Sequence, residues 1–414
     1  MGVTMYNKVS TNLNFVQREK DVLSFWKDNE IFEKMVEEKK KGKTYTFYDG
    51  PPTANGKPHI GHVLTRVIKD IIPRYRTMKG YNVLRKAGWD THGLPVELEV
   101  EKKLGLDGKE QIEEYGLEPF IHECKESVWK YKGMWEDFSN TVGYWADMEK
   151  PYVTYDNNFI ESEWWALKQI WDKGLLYKGF KIVPYCPRCG TPLSSHEVAQ
   201  GYKDVKEKSV IAKFKVKGTD NEYILAWTTT PWTLPSNVAL CVNPKETYVK
   251  VAVNLNAKGD IIKDSHEGED AVAVRTEKYF LAEALLSVIE GVYTIEETCI
   301  GTELEYKEYE PLFNYVSPDK KAYYVTCDNY VTLTDGTGVV HIAPAFGEDD
   351  ANVGRKYDLP FVQLVDAKGE FKAEVTDFAG MFCKDADEGI MKKLANDGLL
   401  FKVLKFEHSY PFCW

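Results

Sequence analysis

The chain has 414 residues, a formal net charge of −11 and 43% hydrophobic content. The length asks for two or three domains, and the composition excludes a disordered polypeptide. The acidic balance argues against a protein that coats nucleic acid through bulk charge, while leaving room for local basic patches.

Residues 15–41 are predicted as a helix, with Val22, Phe25, Trp26, Ile31, Phe32 and Met35 as its apolar positions. "TYTFY" alternates as a strand does and runs into Asp49-Gly50-Pro51-Pro52, a stop. Ile60, Val63, Leu64, Val67, Ile68, Ile71 and Ile72 then form one face of an amphipathic helix expected to end near Pro73. "YNVLRKAG" reads as a second strand, "GWDTHGLP" as a loop opening another helix, and 155–175 as a helix closing at Gly174. Strand, helix, strand, helix predicts a parallel α/β sheet.

From about residue 205 the texture changes. "SVIAKFKVKG", "EYILAWTTT", "NVALCVNP", "TYVKVAV", "KAYYVTC" and "GTGVVHIAP" are short β-branched and aromatic strands, with helices predicted at "EKYFLAEALLSVI" and "DADEGIMKKLAND". One internal echo stands out. "KGLLYKGFKIVPYCPRC" at 173–189 is answered by "DGLLFKVLKFEHSYPFCW" at 397–414, on the other side of the β-rich block. The simplest reading is an insertion whose two ends return to one place. It sets domains at 1–200, an α/β nucleotide-binding half; 201–396, the β-rich insertion; and 397–414, the return.

"GPPTANGKPHIGH" (50–62) places two imidazoles where a strand gives way to a helix. His59 and His62 share a polar, basic face continued by Arg66 and Lys69. Both lie in the first helical turn, where free N–H groups and the helix dipole favour an anion, and Gly61 lets a flat ligand approach the backbone. The assembly suits a triphosphate at the carboxyl end of a parallel strand. An isolated HxGH alone would more often be two surface histidines.

The surrounding residues reverse those odds. "PHIGH" resembles the HIGH signature of class I aminoacyl-tRNA synthetases, and "YDGPPTANGKPHIGH" with "GWDTHGLPVE" resembles the isoleucine-specific members in particular, across essentially the whole chain. The resemblance implies a Rossmann-like parallel sheet interrupted by a β-rich editing domain. It implies ligation of L-isoleucine to tRNA(Ile) through isoleucyl-adenylate, with ATP and Mg2+ as substrate. His59 and His62 would stabilise the transition state at the α-phosphorus; Gly50, Pro51, Asn55 and Gly61 would line the pocket. Asp90 would hold the substrate ammonium and Trp89 would wall the side-chain pocket.

A pocket built for isoleucine cannot firmly reject valine, the pair that is the standing illustration of how little one methylene decides. A second, hydrolytic site is therefore implied. By the same resemblance Thr228, Thr229 and Thr230 would hold the terminal adenosine and ester of a mischarged tRNA, Asp350 would bind the valyl ammonium, and His341 would help exclude isoleucine. Trp227 and Asn237 would be wall residues. No Ser-His-acid or cysteine nucleophile arrangement is evident, so water attack on a positioned ester is expected.

The eight cysteines are scattered except Cys186 and Cys189, which excludes a disulfide framework and suggests a reducing compartment with one metal site. "YCPRC" is half a zinc site and the echo supplies Cys413, so Cys186, Cys189 and Cys413 are candidate ligands of a structural Zn2+ pinning the ends of the insertion. No run of residues approaches a membrane span and the N-terminus carries no apolar export segment, so a cytoplasmic protein is expected; the resemblance implies a monomer at full length. No KMSKS string occurs, so the sequence reads as an N-terminal fragment that completes adenylation poorly. The alternatives are a fragment competent only for deacylation and a valine-specific relative. A zinc-ribbon nucleic-acid module would want a basic surface and four cysteines.

Overall fold

The computed structural model describes residues 11, 13–47, 49–53, 56–199, 201–263 and 272–413. The chain divides into two compact units, Met1–Lys178 and Gly179–Trp414. The cysteine knuckle and the returning C-terminal segment thus group with the β-rich unit.

The first unit runs α1 (Phe15–Asp28), α2 (Ile31–Lys39), β1 (Thr44–Tyr45), α3 (Ile60–Met78), β2 (Asn82–Val83), β3 (Lys86–Trp89), α4 (Leu94–Leu104), α5 (Lys109–Tyr115), α6 (Leu117–Ser127), α7 (Lys132–Thr141), β4 (Asp147–Val153) and α8 (Asn157–Asp172). The helix expected over 15–41 is two helices. The side-chain amide and backbone N–H of Asn29 both donate to the Phe25 carbonyl (2.9 and 3.2 Å), and Glu30 turns left-handed at φ 50°. The pairs β1/β2 and β3/β4 are parallel, and Thr53 forms a parallel bridge with Asp90. The expected parallel α/β arrangement is present.

Helix α3 departs from expectation in two ways. It passes through Pro73, because a proline removes only one donor and the last turn is held otherwise: Thr77 Oγ1 donates to the Pro73 carbonyl (2.7 Å) and Arg85 Nη2 to Thr77 Oγ1 (3.1 Å). Its isoleucine stripe also faces outward, with Ile60 84% and Ile71 61% exposed. The buried face is the polar one. Arg66 is 5% exposed, donates through Nε to Ser139 Oγ (2.9 Å) and lies 5.1 Å from the ring centres of Trp135 and Tyr144.

The second unit contains β5 (Tyr185–Cys186), β6 (Thr191–Pro192), α9 (Ser195–Ala199), β7 (Tyr202–Lys215), β8 (Glu222–Thr228), a 3-10 turn (Pro231–Ser236), β9 (Ala239–Val242), β10 (Thr247–Leu255), β11 (Arg275–Ala282), a second 3-10 turn (Glu283–Val288), β12 (Tyr293–Ile300), α10 (Gly301–Leu304), β13 (Tyr324–Cys327), β14 (Val339–Ile342), α11 (Glu348–Tyr357), α12 (Asp387–Asn396) and β15 (Leu400–Pro411). Nine strands form one mixed sheet in the order β12-β10-β11-β8-β14-β9-β13, with β7 on β8 and β15 on β7. Strand β8 forks: its start pairs with β11 and its end with β14, so the sheet curls and carries cores on both faces.

That two-sided burial explains a correction. "EKYFLAEALLSVI" is not a helix. Tyr279 and Leu281 bury into one core, Phe280 and Ala282 into the other, and the segment pairs with β10 as strand β11 before the second 3-10 turn. An apolar run buried on both faces has no single period to read. Strand β12 was not anticipated; it is an exposed, charge-bearing edge. Strands β7 and β15 pair antiparallel from Ala212↔Leu400 to Tyr202↔Pro411, so the last strand runs back along the first strand of the β-rich sheet.

Candidate active site, hydrolytic site and metal centre

In the first unit the segment after β1 is pinned from three sides. Lys69 Nζ reaches the Gly50 carbonyl and Asp49 Oδ1 (both 2.7 Å), while Tyr144 and Tyr152 hydroxyls donate to Asp49 Oδ2 (3.0 Å) and the Asp49 carbonyl (2.8 Å). Pro52 accepts the Asp90 N–H (3.0 Å), and Thr53 Oγ1 lies 3.4 Å from Asp90 Oδ2. Gly50, Pro51 and Asp90 are thereby brought together where strands end. Asn55 lies outside the described residues. Trp89 is 3% exposed and packs with Trp135 and Val153, so the structure places it in a core.

His59 caps α3. Its Nδ1 accepts the Gly61 N–H (3.2 Å), and His62 Nδ1 accepts the His59 N–H (3.0 Å). With both Nδ1 atoms accepting, each ring carries its hydrogen on Nε2, giving two donors. The rings lie 3.8 Å apart, and His62 meets Trp135 edge-on at 4.7 Å. Burial, then His59, Arg66 and Lys69, lower the His62 pKa. It therefore acts as a neutral donor at a helix N-terminus. A Cβ on Gly61 would come 3.0 Å from the His59 ring, which would have to shift to make room.

In the second unit the hydroxyls form a chain. Thr228 Oγ1 lies 3.3 Å from Thr230 Oγ1, which lies 3.3 Å from Thr233 Oγ1, which lies 2.9 Å from His341 Nε2. Thr233 donates its hydrogen to the Thr230 carbonyl (2.8 Å). His341 Nδ1, on the other side of the ring, is buried and has no partner among the described residues. Burial pushes the His341 pKa down to about 4, so the ring is neutral. Sequence reasoning missed Thr233. Its signal was a hydroxyl three residues after Thr230 across Pro231, the spacing of a turn cap.

Asp350, in the first turn of α11, accepts the Ala343 N–H on Oδ2 (3.1 Å), which ties it to the end of the strand carrying His341. Burial raises its carboxyl to about 6. A Cβ on Gly347 would sit 2.9 Å from its carboxyl carbon. Thr229, between Thr228 and Thr230 in sequence, is half-buried. Two expected wall residues sit elsewhere. Trp227 points to the opposite face of the sheet, edge-on to Phe406 at 5.6 Å. Asn237 spends its amide inside the fold, accepting from the Tyr309 hydroxyl (2.6 Å) and donating to the Ala239 carbonyl (2.8 Å). Neither can wall the threonine face, because alternate strand residues face apart and a locked amide is unavailable.

The three sulfurs of Cys186, Cys189 and Cys413 lie within 4.8 Å of one another, Cys189 and Cys413 at 3.8 Å. Burial and the neighbouring sulfurs push the Cys189 thiol up to about 12. Four thiolates about 2.3 Å from a tetrahedral metal stand about 3.8 Å apart, so the cluster fits a metal-thiolate corner.

The model of tRNA synthetases class I (I, L, M and V) matches residues 21–375. The chain belongs to that family. As a class I tRNA synthetase it is 58% identical over 410 residues to the isoleucine–tRNA ligase of Clostridium acetobutylicum, covering 99% of this chain and 38% of that protein. It is 49% identical over 407 residues to the isoleucine–tRNA ligase of Bacillus thuringiensis, covering 98% and 37%. The chain spans a little over a third of the length of these class I relatives. Among the described residues no helix is long and apolar enough to cross a membrane.

Proposed function

We propose that this segment carries the nucleotide half and the editing half of an isoleucine–tRNA ligase. The observation that carries the first assignment is the pair of Nε2 donors at the start of α3, beside the strand ends that hold Asp90. The isoleucine carboxylate attacks the α-phosphorus of ATP, forming isoleucyl-adenylate and releasing pyrophosphate. His59 and His62 donate to oxygens on which charge grows, and Asp90 holds the ammonium. Mg2+ arrives with ATP. ATP–pyrophosphate exchange at the relatives' full length, with isoleucine, valine and leucine, tests this. Isoleucine should exchange fastest, and faster exchange with valine would overturn it.

For the second assignment, water adds to the ester carbonyl of Val-tRNA(Ile), releasing valine and the terminal ribose hydroxyl. Thr228, Thr229 and Thr230 hold the ribose and ester, and Asp350 holds the valyl ammonium. His341 helps to exclude the larger isoleucine. The 201–396 block acts as the insertion, its ends joined by β7 and β15. All eight cysteines are free thiols, as a cytoplasmic setting favours.

Cys186, Cys189 and Cys413 would hold a structural Zn2+, which would neutralise the clustered thiolates and pin the open end of the β7/β15 ribbon. Titration with Zn2+ should release protons at neutral pH, since thiols with raised pKa must ionise to bind. Cys413→Ser should lower the affinity at least tenfold. Equal proton release by the variant would count against the site.

A further inference from the structure

We propose that Thr154 is a positioning residue of the adenylation site, its buried hydroxyl fixing the turn from which Asp90 reaches the substrate ammonium; this rests on the reading of Asp90 given above. Asp90 directly follows β3, and the β3/β4 ladder runs out beside it at Trp89↔Val153. The Thr154 N–H still donates to the Trp89 carbonyl (3.1 Å). The next rung of a parallel ladder would carry the Thr91 N–H to the Thr154 carbonyl. The Thr154 hydroxyl oxygen takes that N–H instead, at 3.0 Å. The same oxygen lies 3.1 Å from Thr91 Oγ1 and 3.0 Å from His92 Nδ1, and Thr91 Oγ1 accepts the Tyr155 N–H (3.1 Å).

Two hydroxyls thus replace backbone pairing at the point where the strands part. Thr91 and Thr154 are 4% and 8% exposed, so each hydroxyl supplies a partner that water cannot readily replace. On its other side Asp90 donates its own N–H to the Pro52 carbonyl (3.0 Å). The backbone is therefore held at residues 89, 90 and 91 in succession. The Asp90 carboxylate is left half-buried, with Thr53 Oγ1 at 3.4 Å from Oδ2. Valine has nearly the shape of threonine and suits a strand, so packing alone does not require a hydroxyl at 154. What valine lacks is the acceptor for the Thr91 N–H. An acid that must meet an ammonium within hydrogen-bond reach needs its backbone fixed to about half an ångström.

The test is ATP–pyrophosphate exchange at the relatives' full length. Thr154→Val should raise KM for isoleucine about tenfold and leave KM for ATP within about twofold, because the displaced group meets only the amino acid. Thr154→Ser, which keeps the hydroxyl, should restore KM for isoleucine. A folded Thr154→Val with the wild-type KM for isoleucine overturns the proposal. So does one that raises both KM values alike, or a folded Thr154→Ser as impaired as the valine variant. If Thr154→Val does not fold, Thr91→Val decides. It removes the acceptor of the Tyr155 N–H and should raise KM for isoleucine about threefold; an unchanged value overturns the proposal. Asp90→Ala with an unchanged KM for isoleucine overturns the ammonium reading and this proposal with it. Loss of isoleucine-dependent exchange in Asp90→Ala, beside a wild-type KM in Thr154→Val, overturns this proposal only.

Discussion

Asp350→Ala should slow hydrolysis of Val-tRNA(Ile) by about a hundredfold, seen in kcat/KM, since truncating one partner of a buried charge pair costs about 2–5 kcal/mol. The carboxylate is well placed for the role. It is anchored by the Ala343 N–H at 3.1 Å on the strand end that carries His341, and the glycine at 347 leaves it room. Burial, with the Asp349 charge beside it, raises it to about 6, so the free chain spends energy to ionise it, and a bound ammonium offsets that cost. The sign of the pH dependence follows. Below pH 6 the free site is protonated and loses its hold on the ammonium, so kcat/KM should fall as pH drops through about 6. The same raised pKa makes the empty fold lose stability as pH rises from the ordinary carboxyl range towards 6. Asp350→Ala should remove that slope, and a variant that keeps it would place the titration elsewhere.

Lys213→Ala should destabilise the β-rich unit by about 3–5 kcal/mol in urea unfolding. Lys213 on β7 and Glu277 on β11 meet at 2.8 Å with side chains 8% and 7% exposed, and the Tyr279 hydroxyl donates to the same Glu277 oxygen at 2.7 Å. Arg275 reaches the other oxygen at 3.3 Å from a mostly exposed position. Removing the lysine leaves a buried carboxylate and a buried hydroxyl dependent on that one outer guanidinium. The group sits beside the core that backs Leu225 and Trp227 on β8, the strand that delivers Thr228. Replacing the set together, as Lys213→Met, Glu277→Leu and Tyr279→Phe, should recover most of the loss, because no buried charge then remains unpaired. A single Lys213→Ala that costs less than about 1 kcal/mol would mean that water reaches the pair.

Much of this molecule was legible in its residues. The imidazole pair at a helix start, the strands at "EYILAWTTT" and "GTGVVHIAP", and the echo around the cysteines all carry local signals: a cap, an alternation, a repeat. The structure places each of them where those signals point, with Cys189 and Cys413 at 3.8 Å across 224 residues. Features set by two-sided burial were not legible. Strand β11 reads as a helix because each of its faces meets a core, and Trp227 reads as a neighbour of the threonines although adjacent strand residues face apart.

The amino-acid order by itself determined which groups can do chemistry and roughly where each sits on its element, because capping, periodicity and spacing are short-range properties of a chain. Only the tertiary structure decided which face of α3 is buried, and that Thr233 meets His341 Nε2 at 2.9 Å. Those are contacts between residues far apart in sequence, and their energies depend on burial and hydrogen-bond partners that exist only once the chain has closed on itself.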